Sequence, residues 1–502
     1  MNFVIANVIP KPSKSSTFLL NQPHIPYMFY PIHNMNNTTP PNPRRVLLIT
    51  YSAQGHINPT LQLAKRLIRH GDLHVTFLTS LSAYRRMGQT PTLPHLSFAF
   101  FSDGYDDGFK PGDDIDHYVS ELERCGSDAL KNIIQESRNQ GQPFTCIVYS
   151  ILLPWVATVA RSLDVASVLL WIQPAVVFAL YYYYFNGYYD EIQRIISGDD
   201  PSSSMSIKLP GLPLLSARDL PSFFGGSDVY AFALIIFRKQ FELLEEEESN
   251  PKILINTFEE LEKDAVKAIK KFHLMPIGPL IPSVFLDGTD PSEASSGCDL
   301  YRSTSSYIDW LNSKPKASVV YVSSGSITKL SNQQKEEMAR GLLSTKRPFL
   351  WVIRDTEAEE DSLSFKEKLE TQGKIVPWCS QLEVLSSPAT GCFLTHCGWN
   401  SCLESLACGV PTVAFPQWSD QATNTKIIQD LSETGVRLEA GEDGVVKGEE
   451  IERCLTLVMG DSKKGEDIRR NALKWKKLAK EAASEGGSSF ANFKAFVDQV
   501  CS

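Results

Sequence analysis

From residue 44 onward, short apolar runs alternate with amphipathic text. Val46 to Ile49 form an apolar run that predicts a buried strand. The stretch LQLAKRLIRHG follows a Gly-containing turn. Leu63, Leu67 and Ile68 share one face, Lys65, Arg66 and Arg69 lie largely elsewhere, and Gly71 is a stop. That predicts a helix with Pro59 near its start. HVTFLTS (74–80), FTCIVYS (144–150), SVLLWIQ (167–173) and KILINTF (252–258) predict further strands, with helical text between them. The rhythm is that of an α/β domain with a parallel sheet. Pro, Gly and Ser interrupt it over 275–297. A second series then begins with SVVYVSSGS (318–326) and continues through PFLWVI (348–353), GCFLTH (391–396) and VPTVAFP (410–416), with helices at EEMARGLLS and DQATNTKIIQDL. Two such units face each other across a cleft lined by strand ends. We divide the chain into a disordered leader (1–43), an N-terminal domain (44–280), a linker (281–300), a C-terminal domain (301–485) and an amphipathic C-terminal helix (486–502) that could cap either domain.

FLTHCGWNSCLES (393–405) departs from plain core text. Phe393 and Leu394 belong inside, yet the run ends in His396 and turns through Gly-Trp-Asn-Ser into helical sequence. Asn400 and Ser401 are favoured at helix starts, where their side chains accept the free N–H groups of the first turn. A helix start also presents donors and a positive dipole end, which suits an anion. The stretch is therefore a candidate phosphate cradle at the carboxyl end of a strand, where open α/β sheets bind ligands.

Composition narrows the partners. The 502-residue chain carries a formal net charge of −9, which argues against nucleic acid or an anionic membrane as main partner. Ten cysteines include no CxxC pair and read as small buried thiols in a reducing compartment, which points to the cytoplasm. VASVLLWIQPAVVFALYYYYF (165–185) lacks charge over a membrane-spanning length, but Pro174 splits it. A strand followed by a helix start is the reading, and no membrane span is expected. Residues 1–43 lack Asp and Glu, a trait of transit peptides, but hold no Arg and no amphipathic pattern. There is no G-x-G-x-x-G and no P-loop, which weakens a dehydrogenase or NTPase reading.

Trp378 to Gln421, WCSQLEVLSSPATGCFLTHCGWNSCLESLACGVPTVAFPQWSDQ, resembles the signature box of plant family 1 UDP-glycosyltransferases. GHINP, LPGLP, INTFEELE, IGPL and GGSS extend the resemblance over most of the chain after residue 44. It implies the GT-B fold, two Rossmann-like domains facing across a cleft, and an inverting transfer. The N-terminal domain would bind the acceptor and the C-terminal domain the UDP-sugar. Trp378 would stack on uracil, with Cys379 beside it in the UDP site and Gln381 on the uridine. Ser326 and His396 would reach the diphosphate, with Trp399, Asn400 and Ser401 completing the cradle. Glu404 would accept the ribose hydroxyls. Trp418, Asp420 and Gln421 would hold the sugar, and Gln at the last position goes with glucose. No metal and no cofactor are implied; UDP-glucose is the donor substrate.

The same resemblance makes His56 the base, since an imidazole titrates near neutrality and can take an acceptor proton. One position departs from the family. Many relatives place an Asp where VYSILLPW has Ser150, and that Asp orients the histidine. Serine can hydrogen-bond an imidazole but cannot stabilise imidazolium by charge. Asp103, Asp106 and Asp107 are alternative partners, or else a solvated rim. An acidic acceptor tolerates the loss best: a carboxylic acid with pKa about 4 arrives ionised, whereas an ordinary phenol at about 10 does not. The nearest subgroup combines flavonoid and anthocyanin O-glucosyltransferases with glucose-ester-forming enzymes, so the acceptor is a flavonoid-type phenol or a carboxylic acid. YYYYFNGYY (181–189) either lines a flat aromatic pocket or packs a helix. A catalytically silent sugar-nucleotide binder is the reading from a different class.

Overall fold

The computed structural model describes residues 27–30, 44–71, 73–87, 90–110, 112–198, 206–226, 231–247, 250–286, 306–354 and 366–500. In the first half the strands are β1 (Tyr27–Tyr30), β2 (Arg45–Ile49), β3 (His74–Ser80), β4 (Leu96–Phe101), β5 (Cys146–Ser150), β6 (Ala166–Trp171), β7 (Ser206–Lys208), β8 (Leu214–Ser216), β9 (Lys252–Ile255) and β10 (His273–Pro276). β7 and β8 form a small hairpin, and the rest make one sheet in the order β1-β4-β3-β2-β5-β6-β9-β10. All neighbours from β4 to β10 run parallel. Helices cover both faces, so Val46 to Ile49 on β2 are fully buried.

β1 corrects the expected leader. Its backbone pairs antiparallel with β4, Tyr27 opposite Phe101 and Tyr30 opposite Phe98, so part of residues 1–43 belongs to the sheet. The open edge of β4 offers unpaired backbone groups that an extended segment can satisfy. The rest of the proposed leader lies outside the described residues, as do 287–300 of the proposed linker.

The second half contains β11 (Val319–Ser323), β12 (Phe349–Val352), β13 (Lys374–Val376), β14 (Thr390–Thr395), β15 (Thr412–Ala414) and β16 (Gly435–Arg437). They form a parallel sheet in the order β13-β12-β11-β14-β15-β16. Among the parallel strands, chain order reverses once in each sheet, between β2 and β5 in the first and between β11 and β14 in the second. A crevice opens at the carboxyl ends of the strands at such a switch point. His56 lies beyond the end of β2 and Ser150 is the last residue of β5, while Ser326 and His396 follow the second pair.

The apolar stretch 165–185 resolves into β6 and the helix Ala175–Phe185, separated at Pro174. Among the described residues no helix is long and apolar enough to cross a membrane. The C-terminal helix, Ser488–Val500, settles on the N-terminal half. Phe493, Phe496 and Val497 are buried, the His70 and Phe490 rings meet at 5.3 Å, and Asn492 Nδ2 donates to the Pro276 carbonyl at 2.9 Å.

Candidate active site

The base region is built by β2 and the helix behind it. That helix runs Gln54–Gly71, so Gly55 and His56 lie in its first turn rather than in a free loop, and Pro59 lies inside it. A proline has no N–H, so the carbonyl four residues earlier, that of Gly55, has no helical partner. Asn400 Nδ2 of the other domain donates to it at 2.9 Å.

His56 Nδ1 lies 3.3 Å from Ser150 Oγ at the end of β5. Ser150 also accepts the Tyr51 N–H at 3.1 Å and reaches the Ile151 carbonyl at 3.4 Å. When its hydroxyl donates to Ile151, Oγ accepts Nδ1–H and leaves the Nε2 lone pair for the acceptor. Burial pushes the imidazole down to about 3, and among the described residues no carboxylate charge opposes the fall. The three aspartates considered as partners lie elsewhere. Asp103 is fully buried and accepts the Tyr105 N–H at 3.1 Å and the Ser82 hydroxyl at 3.4 Å. Arg85 pairs with the Asp107 carboxylate at 3.0 Å and donates to the Asp106 carbonyl at 2.9 Å. None of them bonds to His56, so Ser150 is its side-chain partner.

The cradle begins where β14 ends. Cys397 takes a left-handed φ of 61°, and the helix Trp399–Cys408 starts behind Gly398 with no side-chain cap. Asn400 and Ser401 thus fall inside the first turn instead of capping it. The unbonded N–H groups of that turn belong to Trp399, Asn400 and Ser401. His396 is wedged between two glycines: a Cβ at Gly325 would lie 2.5 Å from its Nε2, and one at Gly398 2.6 Å. Burial, opposed by a bond to the Ser323 backbone and aided by Arg354, pushes His396 down to about 4, so near pH 7 the ring is neutral. Gly325 also holds a left-handed φ of 77°. Gly325→Ala is expected to weaken UDP binding roughly tenfold or more, because overpacking and backbone strain act together. Calorimetric titration with UDP checks it.

Trp399 requires a correction. Its indole leaves the cradle and donates to the Asn256 carbonyl of the N-terminal half at 2.6 Å, so its side chain fastens the domains. Asn256 Oδ1 in turn accepts the Leu280 N–H at 2.8 Å, which places the INTFEELE segment at the domain junction.

Gln381 organises the nucleoside side. Its Nε2 donates to Ser401 Oγ at 2.9 Å and to Glu404 Oε2 at 2.6 Å. This joins three of the expected UDP residues. Glu404 is largely buried, with an acceptor-only carboxylate suited to paired hydroxyls. Trp378 is half-buried at the start of the same loop. Cys379 is buried with Sγ 3.5 Å from the Tyr321 hydroxyl, so its thiol faces the sheet. Ser326 is half-buried in the turn after β11, just beyond Gly325.

The sugar-side loop is held from both halves. Trp418 Nε1 donates to Thr328 Oγ1 at 3.1 Å. Gln421 Oε1 accepts the N–H groups of Gln417 and Trp418 at 2.8 and 3.2 Å, which leaves its amide N–H₂ for a ligand hydroxyl. Asp420 Oδ2 accepts from Asn424 Nδ2 at 2.9 Å. From the N-terminal half, Ser222 exchanges two bonds with Ser419, at 2.9 and 2.7 Å, and the Asp219 carbonyl accepts the Thr423 hydroxyl at 2.7 Å. Beneath them Arg437 meets the Asp219 carboxylate at 2.9 Å, with both side chains almost fully buried.

This two-sided geometry agrees with the comparisons. A family model described as UDP-glucoronosyl and UDP-glucosyl transferase matches residues 276–476. The chain is 58% identical over 470 residues to phloretin 4'-O-glucosyltransferase of Malus domestica, covering 91% of this chain and 98% of that one. It is 56% identical to the chloroplastic crocetin glucosyltransferase of Gardenia jasminoides, covering 91% and 97%. The chain belongs to the UDP-glycosyltransferase family. Its fold matches that of Os79 from O. sativa in complex with UDP, at 35% identity and a TM-score of 0.81, over 91% of this chain and all of that one. The transferase therefore has the GT-B architecture, and it is an enzyme that uses a UDP-sugar.

Sequence reasoning missed several residues of this glycosyltransferase that shape the site. Gly325 was visible within the SSGS turn, and its closeness to His396 follows from β11 and β14 being neighbours. Asn256 lay in a quoted motif without a role. Asp219 lay in a local capping box with Ser216 that gave no hint of Arg437, because that partner comes from the other domain. The tyrosine-rich stretch is mainly packing: Tyr181, Tyr183 and Tyr184 are buried, with Tyr181 stacked on Phe237 and Tyr184 on Phe224.

Proposed function

We propose that this transferase moves glucose from UDP-glucose to a phenolic hydroxyl of a flavonoid-type acceptor, with inversion at the anomeric carbon. The observation that carries the reading is the 2.9 Å bond from Asn400 to Gly55, which sets the diphosphate cradle directly against the base-bearing turn. The acceptor oxygen attacks C1 and its proton passes to His56 Nε2. The bond from C1 to the diphosphate oxygen breaks, and UDP departs. The first-turn N–H groups, the Ser401 hydroxyl and the His396 ring meet the departing charge, so the reading needs no metal or cofactor. Relatives named for anthocyanidin 3-O-glucoside 5-O-glucosyltransferase activity, 51% identical in Perilla frutescens and Verbena hybrida, support the acceptor class. Cysteines that are free among the described residues suit the cytoplasm.

Ser150 in place of a carboxylate supports a second reading, a glucose ester formed on an ionised carboxylic acid, which has no proton to lose. Turnover of UDP-glucose over a panel of phenols and acids, with product structures determined, decides between them. Binding of UDP-glucose without any turnover would overturn both in favour of a silent binder.

Ser150→Asp supplies a directed test of the base. A carboxylate beside Nδ1 stabilises imidazolium, so it raises the His56 pKa and moves the acid limb of the kcat/KM profile to higher pH. The expected result is that shift together with faster transfer to weakly acidic phenols. In the unsubstituted enzyme the acid limb should lie well below the ordinary histidine value of 6.5.

A further inference from the structure

The sugar-side loop bends at a residue ill suited to its backbone. The Trp418 carbonyl accepts the Gln421 N–H at 3.3 Å, which closes a turn over residues 418–421. Ser419, second in that turn, holds a left-handed φ of 61°, and Asp420 after it returns to −81°. A turn with φ positive at the second position alone takes glycine there as a rule, because a Cβ crowds the neighbouring carbonyl. A serine keeps that conformation when its surroundings hold it there. The holding bonds come from the other domain. The Ser419 N–H donates to Ser222 Oγ at 2.7 Å, and the Ser419 carbonyl accepts the Ser222 N–H at 2.9 Å. Ser222 opens the short helix Ser222–Gly225 behind Pro221. Its neighbour Phe223 is buried, with its ring centroid 6.2 Å from that of Trp418. The bend decides where Gln421 points. Gln421 Oε1 accepts the N–H groups of Gln417 and Trp418, the two residues just before Ser419. Donors and acceptor thus lie on opposite sides of the bend, and a change of φ at Ser419 separates them.

We propose that Ser222 of the acceptor-side domain is a positioning residue for donor recognition: by clamping the backbone of Ser419 it aims the Gln421 amide at the hexose. This rests on the reading that this loop holds the sugar of UDP-glucose. The loop is then shaped by both domains. Its entry is fixed within its own half, where the Trp418 indole donates to Thr328 Oγ1 at 3.1 Å, and its bend is fixed by Ser222.

The test grades the clamp and then makes it unnecessary. Ser222→Ala removes the hydroxyl and keeps the N–H. Ser222→Pro removes both, and proline suits the first position of a helix. In Ser222→Ala, kcat/KM for UDP-glucose should fall about threefold to tenfold, the worth of one hydrogen bond, and in Ser222→Pro it should fall further. The preference for UDP-glucose over UDP-galactose, which differ only at a hydroxyl-bearing carbon of the hexose, should narrow in step. Inhibition by UDP, which has no hexose, should stay within about twofold. A general loosening of the domain junction would instead weaken UDP and leave the donor ratio alone. Ser419→Gly supplies the rescue, because glycine holds a positive φ unaided. With that glycine as the baseline, Ser222→Ala should cost less than about twofold. An equal cost of Ser222→Ala with Ser or Gly at 419, or an unchanged donor ratio, overturns the inference. Gln421→Ala checks the reading beneath it. If that variant spares both UDP-glucose turnover and the donor ratio, the loop does not hold the hexose, and the reading falls with the inference. If it disturbs both while the Ser222 variants disturb neither, only the inference falls.

Discussion

His56→Ala is expected to lower kcat for phenolic acceptors by about 10²–10⁴-fold, the usual worth of a positioned general base. Affinity for UDP should stay near that of the unsubstituted enzyme, because the cradle residues lie on the other domain. The split is informative: a structural role for the histidine would weaken UDP binding and stability along with rate. Ionised carboxylic acids should lose much less than phenols, since no proton has to leave. Steady-state kinetics on one phenol and one acid, with UDP as inhibitor, reads all three quantities. Full phenol activity in the variant would remove His56 from the mechanism.

Arg437→Met is expected to cost about 3–5 kcal/mol of stability, the range for leaving one member of a buried ion pair without its partner. Arg437 holds three groups of the junction: the Asp219 carboxylate at 2.9 Å, the Arg218 carbonyl at 3.1 Å and the Ala422 carbonyl at 2.7 Å. Burial alone would push Asp219 up, but the Ser216 N–H and hydroxyl, then Arg437 and Lys426, pull it below the ordinary carboxylate range. A carboxylate lowered in the folded state contributes stability above its unfolded pKa, lost as pH falls through the folded value. Without Arg437 the folded value rises, so the variant should lose stability at a higher pH than the unsubstituted protein. Urea denaturation at several pH values measures both effects.

Local periodicity carried much of the architecture. Strands β2, β3, β5, β6, β9, β11, β12, β14 and β15 coincide with apolar runs visible in the text, because a strand covered on both faces needs continuous hydrophobic sequence. β4 was missed although LSFAFF is as apolar as the rest, and β10 (HLMP), β13 (KIV) and β16 (GVR) lack an extended apolar run such as VPTVAFP. The edge pairing of β1 lies in backbone groups, which leave no trace in side-chain pattern. At the site, the signature box named Gln381, Ser401 and Glu404, which the fold joins by hydrogen bonds. It could not separate the neighbours Trp399 and Asn400, one fastened to the Asn256 carbonyl and the other to the Gly55 carbonyl. Their destinations depend on the opposite domain, and so does the ion pair of Asp219.

The bond from Asn400 to Gly55 exists because Pro59 withholds a proton from its own helix. The Gly55 carbonyl bonds across the cleft to Asn400, so the histidine one residue along stands at a fixed separation from the helix after β14. A ring in place of an N–H thus ties the seat of the base to the seat of the nucleotide-bearing half.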